Sequence, residues 1–244
     1  MPKFLIAFRC SVAANLVLLC LVLPAKSLQA FQQSADQAMP LLPDVIPCSC
    51  DLEGVHRDWG TSFEVAFKQY EQRGDDFKTA AYRAIGSYSR TDISSTPRVT
   101  EAKRSFKRQP STPWPPIYLI EDMRGFYTGI FYKPDDAAVA FIMISKPLYA
   151  AIDDTMLAAL LAHEISHPET GSASIGNHML VDKRATDLID ARDLERLLRF
   201  IIEAKARYEY SIRATCKKAI ALPDYIIWGE DLRPRLDSLS AHPH

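Results

Sequence analysis

The chain has 244 residues, of which 48% are hydrophobic and 24% charged, with a formal charge of −1 at pH 7. A balance this close to neutral gives no electrostatic footprint for nucleic acid, so that class of partner is set aside. The length supports one hydrophobic core, with room for a small appended piece.

The first 30 residues read as a secretory signal peptide. Residues 1–9 carry Lys3 and Arg9 and no acid, residues 11–23 form an apolar run, and Leu28-Gln29-Ala30 is an acceptable cleavage site. The run is short for a bilayer span, so an uncleaved anchor is the alternative, and it is the only expected link to a membrane. Cys20 follows Leu18-Leu19, where a lipoprotein site would have small residues. Losing Lys3, Arg9 and Lys26 takes the formal charge from −1 to −4. The mature protein is expected to be periplasmic or secreted. Cys48, Cys50 and Cys216 remain after the leader. In an oxidising compartment this odd set predicts one disulfide, from Cys216 to Cys48 or Cys50, and one free thiol. Zinc ligation by Cys48-Ser49-Cys50 is a poor match to a structural site.

Residues 31–61 form a loose N-terminal segment with no hydrophobic period through residue 47. From residue 62 the pattern turns helical, with Phe63, Ala66, Phe67 and Tyr70 at i, i+3, i+4 and i+7 until Gly74 breaks it. A second helix follows, with Phe77, Ala80, Ala81, Ala84, Ile85 and Tyr88 on one face; its aromatics are read as core. Residues 91–116 are rich in Ser, Thr and Pro and hold Arg98, Lys103, Arg104, Lys107 and Arg108, the composition of an exposed linker. Three strands are expected at 117–121, 126–132 and 138–145. Lys133-Pro134-Asp135-Asp136 supplies turn chemistry between the last two, and the simplest arrangement is a small antiparallel meander.

The next stretch carries the chemistry. Ala and Leu propagate a helix through residues 153–162, with Asp153 or Asp154 as its cap. It runs into His163-Glu164-Ile165-Ser166-His167, a His-Glu-x-x-His pattern. Positions i and i+4 share a helix face, so the two imidazoles point at the same place and make half of a zinc site. Glu164 lies about 100° round the helix from His163. There it borders the metal without filling a ligand position, as a general base towards a zinc-bound water requires. Gly171 and Gly176 bracket a loop, and a helix restarts near Asn177 carrying Asp182, Ala185, Leu188 and Ile189. A long amphipathic helix is expected over 192–218, with Leu194, Leu197, Leu198, Ile201, Ala204, Tyr208 and Ile212 as its buried stripe. The tail from 223 to 244 reads as irregular, with Trp228 docked.

Residues 117–189 resemble the HtpX-like and BepA-like zinc metallopeptidases of the gluzincin group. That family runs from a strand and a hairpin to an active helix with His-Glu-x-x-His, then to a helix with Glu-x-x-Ala-Asp. Ile117-Tyr118-Leu119-Ile120-Glu121-Asp122 is similar to its first strand, residues 157–167 to its active helix, and Val181-Asp182-Lys183-Arg184-Ala185-Thr186-Asp187 to its third-ligand helix. The resemblance implies that His163, His167 and Asp182 hold Zn2+. Asp182 stands where the family has Glu, and Thr186 where it has the Asp that orients the metal site. His178, Asp187 and Glu169 remain competitors for the third position, and His178, Tyr149 and Tyr208 are candidate oxyanion donors.

The implied architecture is α+β. A zincin-like domain spans residues 62–222, with a small antiparallel sheet packed on the active-site helix and helices before and after it. The implied activity is zinc-dependent endopeptidase hydrolysis of a peptide or unfolded protein, with Glu164 as base. Two alternatives are a metal-binding envelope factor of chaperone-like or scaffolding type with weak turnover, and a helical interaction protein without zinc. The presence of Glu164 favours the enzyme, because a pure binding module has no use for it.

Overall fold

A computed structural model describes residues 59–121, 126–133, 138–170, 178–216 and 232–241. The signal peptide, Cys48 and Cys50, Asn177 and Trp228 lie outside the described residues, as does the side chain of Cys216. The fold is mixed α+β, with eight helices and one four-stranded sheet among the described residues.

Helix α1 (Trp59–Gln72) and helix α2 (Phe77–Ile85) form a hairpin over one face of the sheet. Gly74 turns the chain between them at φ 94°, a left-handed conformation that a Cβ disfavours. Asp76 then caps α2, accepting from the backbone N–H of Lys78 at 3.0 Å and of Thr79 at 3.1 Å. The apolar stripes of both helices meet the sheet in an aromatic cluster. Phe131 lies at its centre, with ring centroids 4.9 Å from Phe63, 4.8 Å from Phe67 and 5.3 Å from Phe77. The expected reading of these aromatics as core therefore holds.

The sheet contains β1 (Arg90–Asp92), β2 (Ile117–Ile120), β3 (Thr128–Lys133) and β4 (Ala138–Ser145) in the order β1-β2-β4-β3. The β1–β2 and β3–β4 pairs are antiparallel, but β2 and β4 run parallel. This corrects the expected antiparallel meander. The hairpin signal at Lys133-Pro134-Asp135-Asp136 does put β3 beside β4, yet β2 joins the other edge of β4. The stretch read as an exposed linker is also corrected. It contributes Asp92 and Thr91 to β1 and folds α3 (Pro97–Arg104), which Thr96 caps by accepting from Val99 N–H. Val99 and Ala102 of α3 are buried, and the helix packs on the helix Asp154–Thr170. Its Arg98 pairs with Asp154 at 2.8 Å and donates to the carbonyls of Tyr149 and Ile152.

On the opposite face of the sheet, α4 (Lys146–Ala151) leads into α5 (Asp154–Thr170), followed by α6 (His178–Thr186) and α7 (Ala191–Cys216). Helix α5 is apolar on nearly every side, so it is buried on nearly every side and forms the centre of this half of the core. Asp153 caps it, accepting from Met156 N–H at 2.9 Å. A last helix, α8 (Arg233–Ser240), lies in the tail expected to be irregular, and it packs on α6 and α7. No helix among the described residues is long and apolar enough to cross a membrane.

Candidate metal centre

Helix α5 projects His163 and His167 from one face, one turn apart, with ring centroids 4.9 Å apart and ring planes at 87°. His178, the first residue of α6, brings a third ring to within 5.5 Å of His163 and 5.2 Å of His167. One ligand-capable nitrogen from each of the three lies within 4.8 Å of the other two. His163 is fully buried, and the other two are half-buried.

Asp182, the residue expected as third ligand, stands one turn after His178 on α6 and has other partners. Its Oδ1 lies 2.8 Å from His163 Nδ1. Arg235 of α8 grips the same carboxylate with both arms of its fork, Nε to Oδ2 at 2.6 Å and a terminal nitrogen to Oδ1 at 2.7 Å. The histidine cluster contains His178 and does not include Asp182, the residue expected as third ligand.

The electrostatics fix the state of His163. Burial pushes the Asp182 carboxyl up, but hydrogen bonds from His163 and Arg235 outweigh it and hold the pKa at about 2. Asp182 is therefore an ionised, acceptor-only group, and His163 Nδ1 must carry the hydrogen between them. Burial pulls the His163 pKa down to about 4, so the ring is neutral with its lone pair on Nε2. A neutral imidazole with Nδ1–H held by a carboxylate is the form that ligates a metal. Arg235 also comes within 3.5 Å of His178 Nδ1, too long a contact to set that ring's tautomer.

Glu164 meets β3. It is buried and hydrogen-bonds with the Thr128 hydroxyl, which also lies 3.2 Å from the Met143 carbonyl, and it accepts from the Ile130 N–H. The Ile130 N–H therefore points away from β4, towards the outer edge of the sheet. Burial raises the Glu164 pKa to about 8, against the pull of Thr128, Arg235 and Ile130. A carboxyl in this range exchanges protons near neutral pH.

The other candidates lie elsewhere. Glu169 accepts from the backbone N–H groups of Ser111 and Thr112 at 2.6 and 3.2 Å, and from Arg184 at 2.5 Å. Asp187 pairs with Arg184 and Arg108. The Tyr149 ring lies under Arg98, 4.3 Å from its guanidinium carbon. The side chain of Tyr208 is outside the described residues.

Arg235 was missed by the sequence reading, although a signal for its helix existed. Leu232, Leu236 and Leu239 recur at helical spacing, and Pro234 sits in the first turn, where its absent N–H costs nothing. Comparison of the chain with protein-family models, with curated proteins and with solved structures finds no match in any of the three. The chemistry of the site itself carries the functional reading.

Proposed function

We propose that the protein is a zinc-dependent endopeptidase with a zincin-like fold, acting outside the cytoplasm on a peptide or unfolded protein. The supporting observation is the convergence of three imidazoles whose ligand atoms lie within 4.8 Å of one another, beside the buried carboxyl of Glu164. An all-imidazole donor set suits zinc, and His163 is already in the ligating tautomer. His163, His167 and His178 would hold the ion. Zinc bound there supplies a Lewis acid that lowers the pKa of a water and polarises a carbonyl.

The assignment of third ligand moves from Asp182 to His178. It shifts the match to the gluzincin third-ligand helix by one turn. His178 then stands at the ligand position, and Asp182 at the position of the carboxylate that orients the site. In that register His178 replaces the family's Glu and Val181 its Ala, while Asp182 matches its Asp.

Glu164, next to His163 on α5, is the group proposed as general base, and its carboxyl exchanges protons near neutral pH. It takes a proton from water as the water oxygen bonds to the scissile carbonyl carbon. It then delivers that proton to the nitrogen as the C–N bond breaks. Strand β3 is at the edge of the sheet, so its outer backbone groups, apart from the Ile130 N–H held by Glu164, suit an extended substrate added as a further strand.

A second reading, a metal-binding envelope factor with little turnover, draws on one observation: Thr128 and Ile130 tie the Glu164 carboxyl to β3. Zinc content and peptide-library cleavage on the same purified sample separate the two, with Glu164→Gln as control. The endopeptidase reading expects cleavage by the wild type and none by Glu164→Gln, at equal zinc. Equal cleavage by both would remove Glu164 from its role.

A further inference from the structure

Between the Phe131–Phe141 and Tyr132–Val139 pairs the register passes over Ala140, so the extra residue belongs to β4 and β3 keeps its alternation. Thr128, Ile130 and Tyr132 therefore share one face of β3, while Phe131 faces the aromatic cluster on the other. Thr128 meets Glu164 on that shared face, and Tyr132 meets His167. The Tyr132 ring lies 6.4 Å from the His167 ring, tilted by 34°.

The phenol ring needs no hydroxyl to pack against His167; Phe would fill the same space. Yet the Tyr132 hydroxyl oxygen is buried, and it has no hydrogen-bond partner among the described residues. A buried hydroxyl left in that state is costly and calls for an explanation. The group is an O–H donor on the face of β3 whose Thr128 meets Glu164 and whose Tyr132 ring packs on His167.

We propose that the Tyr132 hydroxyl donates a hydrogen bond to the scissile carbonyl oxygen as that oxygen becomes an oxyanion. This rests on the endopeptidase reading above. Tyr132 keeps its own proton throughout. Its contribution is a bond that shortens as negative charge develops, so it acts on the transition state more than on the bound substrate. None of the tyrosines and histidines named from the sequence as oxyanion donors is needed for this role.

The test is Tyr132→Phe in the full chain loaded with zinc. The expected result is a kcat lower by about 100-fold, with KM within about threefold and zinc stoichiometry unchanged. A second readout is binding of a peptidyl phosphonate, a tetrahedral mimic, measured by calorimetry beside the peptide of the same sequence. Tyr132→Phe should weaken the phosphonate by about 100-fold and leave the peptide nearly unaffected. A kcat within twofold of wild type, or equal weakening of phosphonate and peptide, overturns the proposal. Loss of zinc in Tyr132→Phe would assign the hydroxyl a structural role instead. A wild type that holds zinc but neither cleaves peptides nor prefers the phosphonate overturns the endopeptidase reading, and this one with it.

Discussion

Arg235→Ala is the most informative perturbation of the site, because Arg235 links the tail to the histidine cluster through one buried carboxylate. In the native protein Asp182 is ionised and nearly inaccessible, with a side-chain exposure of 2%. Arg235 provides two of its hydrogen bonds, at 2.6 and 2.7 Å, and the charge that balances it. Truncation leaves a buried anion with His163 Nδ1–H as its remaining donor among the contacts described above. Breaking a buried pair from one side costs about 3–5 kcal/mol, mostly the penalty of the stranded charge. In urea this is a fall of more than about 1 M in the unfolding midpoint of the zinc-free protein, followed by far-UV circular dichroism. His163 loses part of what fixes its orientation, so zinc affinity in a chelator competition should fall by about 10–100-fold. The double variant Arg235→Met with Asp182→Leu replaces the pair by apolar groups. It should recover most of the stability without recovering the zinc affinity. An Arg235→Ala protein within about 1 kcal/mol of wild type, with unchanged zinc affinity, would refute this reasoning.

Three further outcomes are expected. The pKa of His163 is depressed from 6.5 to about 4, so its contribution to the stability of the zinc-free protein is fully present above pH 6.5 and is lost as pH falls towards 4. Asp182 adds a second acid loss between its ordinary value of 3.8 and about 2, and urea midpoints at pH 6.5, 4 and 3 check both. Glu164 has the opposite sign: raised from 4.5 to about 8, it contributes stability below pH 4.5 that is lost as pH rises through 8. The zinc-free Glu164→Gln protein should therefore gain on the wild type between pH 5 and 8, and equal midpoints at both pH values would contradict the burial argument. Glu169→Ala removes the carboxylate that joins residues 111–112 to α6. It should cost roughly 2 kcal/mol and speed proteolysis between α3 and β2 while leaving zinc content unchanged.

Much of this arrangement was legible because its signals are local. Helix α5 announces itself through Ala and Leu after an Asp cap. The two histidines need only the i, i+4 rule to share a face. Strand β4 is an uninterrupted apolar run with turn residues before it, and its bounds match the expectation. The failures are non-local. A hairpin signal puts β3 beside β4, but nothing in either strand says which edge β2 joins. Helix α3 has two buried positions, Val99 and Ala102, too few to make a period visible within a basic, Ser-rich stretch. The choice between His178 and Asp182 depends on how the glycine-containing loop sets the start of α6. Both residues lie on one face of that helix, one turn apart, so spacing alone does not separate them. Arg235 enters the core 53 residues after the carboxylate it pairs with. An isolated Arg in a polar tail reads as solvated until the fold brings it to Asp182.

The central claim is that His163, His167 and His178 form the metal centre and that Asp182 supports it through His163. Zinc stoichiometry of the purified mature protein, measured beside His178→Ala and Asp182→Ala, tests it directly. One zinc per wild-type chain is expected, with near-complete loss in His178→Ala and retention in Asp182→Ala at an affinity weakened by about 10–100-fold. A wild type without zinc, or stoichiometric zinc in His178→Ala with loss in Asp182→Ala, would contradict it.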